Sequence, residues 1–459
     1  MKKSLLWIVI SVVSISMIVL FSLSSCAPAV EEPVVEEPVA EEPIEEEITT
    51  EPITLNLWCI SDGVELLRSV IELYQKEHPN VDATYTGYEI MQIRQVVPST
   101  LASGSKDVDL IMFWGGLPTN VLGDYLIDLM PYAEKYNWFD NLYESCKDFI
   151  TADGKYYSYN LNNNSGMWIY YNKAIFDEVG INPPETIEDL FEISSKIKEA
   201  GYIPMAIPDK DKWVPRLVHG NILNRFTSTE NAIFYTMWEN FPDEEKAEKV
   251  EIFNSQEVVD SFNFLDRLNK EGVFVENAGT INDAESRFLF TSGKAAMITI
   301  GSWAADIIAR EAPELDFGYF AWPASEKYPE NREMLSECSD AFLVPASISE
   351  EKLPIVIDLI DKVNKEKEYE MAWYKAGIAA ATFALSVEET ESLGFNPMVF
   401  DQMGYIKEHG SIPFNGTWWS FEGQEVYGTA ISNLLVGTMT PEEATEYIYS
   451  YVLGTLDLE

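Results

Sequence analysis

Apolar and polar residues alternate from Ile53 to Ile60 (ITLNLWCI), which is the two-residue period of a strand. From Gly63 to His78 the apolar positions are Val64, Leu67, Val70, Ile71 and Tyr74. That spacing is helical, and Pro79 ends it. Val81–Tyr85 reads as a second strand. Asp109–Trp114 (DLIMFW) is nearly unbroken in its apolar character, as expected of a strand buried on both faces. Three further helices are marked by their starts. Thr186 with Asp189 forms a capping box, and that helix runs to about Gly201. Ser255 caps Gln256–Glu271, which Gly272 stops. Thr440-Pro441-Glu442-Glu443 is a cap with Pro at the first helical position. Strands alternating with helices predict an α/β chain with mainly parallel sheets.

The first residues follow neither period. Lys2 and Lys3 precede an apolar run from Leu5 to Leu23, then Ser24, Ser25 and Cys26. Charge, apolar run and small residues together predict an export signal over 1–25. Leu23-Ser24-Ser25-Cys26 resembles a bacterial lipobox, in which the Cys becomes the lipidated first residue. An uncleaved membrane anchor is the alternative, since the run is long enough to span a bilayer. Residues 31–45 then repeat EEPVV, EEPVA, EEPIE. Recurrent Pro and mutually repelling Glu cannot fold, so 26–52 is expected to be an extended tether with a reach on the order of 80 Å.

The remaining stretch of about 400 residues favours two domains. A hydrophobic content of 46% is enough for a large core and excludes global disorder. The formal net charge is −45, from 76 acidic against 31 basic residues. Such a balance argues against nucleic acid as a partner, because phosphate binding needs clustered cations. Three histidines and four cysteines make a Cys/His metal cluster an unsuitable reading, and no metal or other cofactor is expected. Beyond Cys26, the odd set Cys59, Cys146 and Cys338 cannot pair completely. One disulfide with a free thiol and three buried thiols are both open.

Several segments, in order, resemble the extracellular solute-binding proteins of ABC sugar importers, the maltose-binding-protein-like class. They are Leu73–Val81 (LYQKEHPNV), Ser103-Gly104 with Asp107–Leu110, and Asp153–Tyr157 (DGKYY). More specific are Tyr171–Gly180 (YNKAIFDEVG) leading to Pro183–Leu190 (PPETIEDL), and Phe290–Met297 (FTSGKAAM) leading to Gly301-Ser302-Trp303. Ile187 stands where the family often has Trp. The resemblance implies a two-lobed periplasmic-binding-protein-like α/β fold, with discontinuous lobes and a ligand cleft between them. By analogy the first lobe is 53–159 plus 294–347, and the second 160–293 plus 348–459. It also implies a small-molecule sugar as ligand, delivery to the transmembrane subunits of an ABC permease, and an extracytoplasmic, membrane-anchored lipoprotein, periplasmic or cell-surface. The chain is expected to act as a monomer.

A sugar pocket needs aromatic faces for C–H-rich ring surfaces and polar groups at the ring edge. Trp114 ends a strand and opens into Gly115-Gly116, a place where α/β proteins bind ligands. Trp418 and Trp419 are adjacent, so one can face the cleft and the other the core. Trp303, in the Gly301-Ser302-Trp303 segment, is a candidate whose alternative is capping a helix against the core, and Trp213 occupies a position where the resemblance implies cleft residues. Ser61, Asp62, Asn162 and Asn164 are the polar candidates, near the first strand's end and near the expected crossover. Asn163 lies in the same cluster, which donates and accepts without adding charge. The acidic residue that relatives often carry near this crossover is absent here. His219 reads as structural.

An enzyme is the competing class. The sequence carries no G-x-S-x-G, H-E-x-x-H, Walker A or G-x-G-x-x-G, so no catalytic residue is assigned. A ligand sensor for a signalling receptor would use the same binding chemistry, and a carbohydrate-active enzyme is a further alternative.

Overall fold

The computed structural model describes residues 50–142, 147, 149–151, 153–162, 165–338, 340–375, 382, 392 and 397–456, with only the backbone of Asp62, Ser165 and Glu337. The signal, Cys26, the tether up to residue 49, Cys146, Asn163 and Asn164 lie outside the described residues. All that is described belongs to one unit, Pro43–Glu459. Among the described residues no helix is long and apolar enough to cross a membrane.

The first sheet begins with β1 (Ile53–Ile60), parallel to β2 (Val81–Tyr88), with Ile53 opposite Val81. On its other edge β1 pairs in parallel with β3 (Leu110–Trp114). Leu110 to Phe113 are all buried because apolar side chains cover both faces of the sheet. Leu110 and Met112 join one core cluster with Leu55, Leu57 and Val70, while Ile111 and Phe113 join another with Ile93 and Val97. Side chains alternating across one strand thus serve two layers.

The chain leaves this sheet through β4 (Tyr159–Asn160) and enters the second sheet at β5 (Ser165–Asn172). β6 (Ile203–Ala206), β7 (Ala295–Gly301), β8 (Phe317–Phe320) and β9 (Met334–Glu337) build that sheet around β5. β10 (Asp340–Leu343) then returns to the first sheet between β3 and β4, and β11 (Ser411–Ile412) adds to β9. The sheets are mixed, against the expectation of mainly parallel ones. β10 runs antiparallel to β3 and β4, and β5 runs antiparallel to β7, β8 and β9. Chain segments that cross between sheets re-enter in the reverse direction, which local sequence periodicity does not reveal.

The strands also divide differently from the expected lobe boundaries. Residues 294–347 were expected in the first lobe, yet β7, β8 and β9 lie in the second sheet and only β10 belongs to the first. The helices Leu353–Lys365 and Lys367–Lys375, expected in the second lobe, put Ile355, Leu359 and Trp373 into the first sheet's core. The reason is that β7 is buried throughout (AAMITIG), so its sequence suits the centre of either sheet. The helices Phe421–Leu435 and Pro441–Gly454 do cover the second core, through Tyr427, Ile431, Ile448 and Val452.

The predicted helix starts hold in two cases. Thr440 accepts from Glu443 N at 3.2 Å while Thr440 N donates to the Glu443 carboxylate at 2.8 Å, a complete capping box. Ser255 Oγ accepts from Val258 N. At Thr186 only half of the box forms: its backbone N–H donates to Asp189 Oδ2 at 2.8 Å, but the helix begins at Asp189 with Glu188 as its cap.

Candidate functional site

A cavity of about 540 Å³ lies where the two sheets face each other. The first core contributes Ile60, Leu66, Met112 and Trp373, the second Trp213, Trp303 and Phe414, and the crossovers Leu161, Asn162 and Asp340. Trp213 begins the helix Trp213–Leu223, and Trp303 follows the end of β7. Their rings lie 5.7 Å apart at 38° and both are partly exposed. Gly301 makes this placement possible, since a Cβ there would stand 2.0 Å from the Trp303 ring.

Across the cavity the two crossovers hold each other. Asn162 Nδ2 donates to Asp340 Oδ2 at 3.0 Å, and Asp340 N donates to Asn162 Oδ1 at 3.0 Å. Burial pushes the Asp340 carboxyl up to about 6. Aromatic faces and a half-buried carboxylate with an amide partner therefore share one enclosure. Arg310 and Lys375 also line it, and Arg310 is paired with Asp306.

A second cluster adjoins it. Trp114 ends β3, meets Phe113 edge-on, and carries the Arg94 guanidinium 5.1 Å above its ring. The Gly115-Gly116 turn touches the opposite half directly: Leu117 N donates to Thr417 O at 2.9 Å. Trp418 is buried and stacks on Phe149 at 5.5 Å, so it joins the two halves. Trp419 is the core member of the pair. It is fully buried, its indole N–H donates to Tyr235 O at 3.1 Å, and it packs on Tyr427 and Phe253. No face of it is left for a ligand, which corrects its place among the candidates. Ser61 is exposed, bonded to Glu89 at 3.4 Å, and does not line the cavity, although Ile60 and Gly63 beside it do. Asn164 and the Asp62 side chain are outside the described residues.

A model of the bacterial extracellular solute-binding protein family matches residues 69–397, well over half of the chain. The chain belongs to this family. Among curated relatives, the solute-binding protein is 25% identical over 202 residues to a probable sugar-binding periplasmic protein of Mesorhizobium japonicum, covering 43% of this chain and 45% of the relative. It is 26% identical over 257 residues to the sn-glycerol-3-phosphate-binding periplasmic protein of Brucella melitensis, covering 54% of each. The chain thus spans about half the length of the curated relatives it matches. A solved chitin oligosaccharide binding protein superposes with a TM-score of 0.74 at 20% identity, over 87% of this chain and 98% of the other. Maltose-bound MalE3 of T. maritima gives 0.70 at 16% identity, over 88% and 100%. At these identities the structures establish the two-lobed fold.

Sequence reasoning on this solute-binding protein missed Asp340, Trp373, Arg94 and Arg216. Asp340 supplies an acid at the crossover, where the sequence had shown none near Asn162. It stands 178 residues away along the chain, and only the pairing of β10 with β4 brings it back. Its one local signal is a lone acid opening the apolar run DAFLV, as Asp109 opens DLIMFW. His219 is structural, as expected. It is fully buried, bonded to Tyr427 and Ser261, stacked on Phe262 at 4.0 Å, and pushed down to about 3 by burial. Cys59 is a buried thiol pushed up to about 12 by burial, which keeps it from acting as a thiolate.

Proposed function

We propose that this protein captures a carbohydrate in the cavity between its two sheets and delivers it to the membrane subunits of an ABC transporter. The observation that carries the reading is the meeting of Trp213 and Trp303 with the Asn162–Asp340 pair in one cavity. Indole faces stack on the C–H surface of a sugar ring. The carboxylate accepts from hydroxyls at the ring edge, and the amide both donates and accepts. A volume of about 540 Å³ is in the range of small-ligand sites. The names of the relatives, sugar-binding and glycerol-phosphate-binding, support a polyhydroxylated solute.

The sugar bridges two halves joined by the crossovers near 160–165 and 337–340, and their closure buries it. Contacts such as Leu117 N to Thr417 O belong to the closed arrangement. The closed form docks on the permease. Lipidation at Cys26 and the Pro/Glu tether hold the protein at the outer face of the membrane as a monomer, and it performs no chemistry on the sugar.

The test is tryptophan fluorescence and thermal shift on the full chain, purified in detergent, against mono- and oligosaccharides. A saturable response to one sugar family is expected, with the sugar recovered unchanged by chromatography. Silence across the panel contradicts carbohydrate as the ligand. Conversion of the sugar contradicts a pure binding role.

A further inference from the structure

Arg216 sits in the helix Trp213–Leu223 and is 3% exposed, yet its Nε and Nη1 have no hydrogen-bond partner. Arg94, in the helix Ile90–Ala102 of the opposite half, is partly buried and its Nε also lacks a partner. Its guanidinium lies between two rings, 5.1 Å from Trp114 and 5.2 Å from Phe421. Neither arginine is ion-paired among the described residues. The contrast is Arg225, fully buried and fully satisfied: Nε donates to Pro323 O, Nη1 to Glu333 O and Nη2 to Trp322 O, at 2.7–3.1 Å. That is a structural buried arginine. Arg94 and Arg216 are not built that way.

An unpaired buried guanidinium is costly, and a second one nearby raises the cost. Arg216 is pushed down to about 9, chiefly by burial and then by the like charge of Arg94. Gly416 lies against Arg216, and its neighbour Thr417 lies against Gly116, two residues past the Trp114 ring that carries Arg94. The acids that act on them are Glu425 and Asp211. Glu425 is itself bonded to Lys212 and Thr429. In a chain with 76 acidic residues, two arginines from opposite halves lie against the same segment, Arg216 at Gly416 and Arg94 at Phe421, without an ion pair among the described residues.

Neither arginine lines the cavity, but each stands about one helical turn from a residue that does, Arg94 from Ile90 and Arg216 from Trp213. Trp213 lines the cavity and Arg216 follows three residues later, on the same helix face. Met112 lines it, and Trp114 follows two residues later at the end of β3, where it packs with Phe113 and Phe421. Phe414 lines it, and Gly416 brings backbone without a side chain against Arg216; a Cβ there would be 3.3 Å from Nη2.

We propose that Arg94 and Arg216 together receive an acidic group, a carboxylate or a phosphate, carried by the carbohydrate whose ring lies in the adjoining cavity. The proposal rests on the carbohydrate reading above and narrows it to acidic saccharides. Each guanidinium offers a planar fork that matches such an oxyanion, and an anion held by both halves draws them together.

Calorimetric titration of the full chain with matched twins tests this: galacturonate against galactose, glucose phosphate against glucose, and the corresponding disaccharides. An acidic member is expected to bind at least about tenfold more tightly than its neutral twin. Response in the carboxylate pair or in the phosphate pair identifies the group. Arg216→Met and Arg94→Met should each reduce affinity for the acidic member about ten- to a hundredfold, bringing it toward the neutral value. The comparison of twins needs no variant, and partly exposed Arg94 provides a second one if Arg216→Met folds poorly. Equal or tighter binding of the neutral twin, unchanged in both variants, overturns the anion site and leaves the carbohydrate reading standing. No binding of any member overturns both.

Discussion

At the scale of single residues, Asp340 is the most informative group. Its folded carboxyl, at about 6, lies above the ordinary 3.8. The folded state therefore binds the proton more tightly than the unfolded chain. The burial penalty is absent below about pH 4, grows as pH rises through 6, and is complete above about 7. Asp340→Asn should remove it, raising stability at pH 7 by at most about 3 kcal/mol and leaving stability at pH 4 unchanged. Urea denaturation at the two pH values measures this. The same variant should bind sugar about tenfold or more weakly, because an ionised acceptor is lost. A gain in stability without loss of binding would place Asp340 outside the site. The tryptophans divide in a similar way. Trp303→Ala and Trp213→Ala should each weaken sugar binding about tenfold with small effects on stability. Trp419→Ala should cost about 3–5 kcal/mol of stability, because it opens a cavity among Tyr235, Phe253 and Tyr427. Denaturant midpoints and titrations on the three variants separate the roles.

At the scale of elements, the contact between the Trp114–Gly116 turn and the Asn415–Thr417 loop joins the two halves. Gly116 has φ +79, and a Cβ there would stand 2.4 Å from Thr417 Cγ2 and 2.7 Å from its carbonyl oxygen. Gly116→Ala should therefore push the loops apart and strain the turn by about 1–2 kcal/mol. Sugar affinity should fall several-fold. Small-angle scattering of the saturated variant should give a larger radius of gyration than wild type. Wild-type affinity would show that this contact plays no part in closure. The elements themselves were largely legible. The helix ends at Thr440 and Ser255 and strands β1 and β3 follow from rules that act within a few residues. The routing between sheets was not legible: β7 reads as a buried strand whichever sheet receives it. The same limit governs the site. Trp213 and Trp303 were nameable one by one, but their meeting depends on where β7 ends against the helix Trp213–Leu223. Asp340 and Arg216 gave little local signal, since one opens an ordinary apolar strand and the other sits inside a buried helix.

At the scale of the whole molecule, charge is the dominant feature. Setting aside Lys2, Lys3 and the ten glutamates of 27–52 leaves −37 on residues 53–459. Self-repulsion of this size works against the folded state and is screened by salt. Raising sodium chloride from about 10 mM to about 0.5 M should increase the melting temperature by several degrees at pH 7. A flat response would mean that the ion pairs scattered over the surface, such as Lys362 with Glu77 and Glu366, already balance the repulsion. The same charge repels anionic lipid, so contact with the membrane falls to the expected anchor at Cys26 rather than to the folded body. The central claim concerns the cavity between the two sheets, and a crystal structure with the best-binding saccharide tests it most directly. The predicted result is a sugar ring stacked on Trp213 and Trp303, with a hydroxyl within hydrogen-bond distance of Asp340. A saccharide bound elsewhere, with this cavity unchanged, would contradict the account.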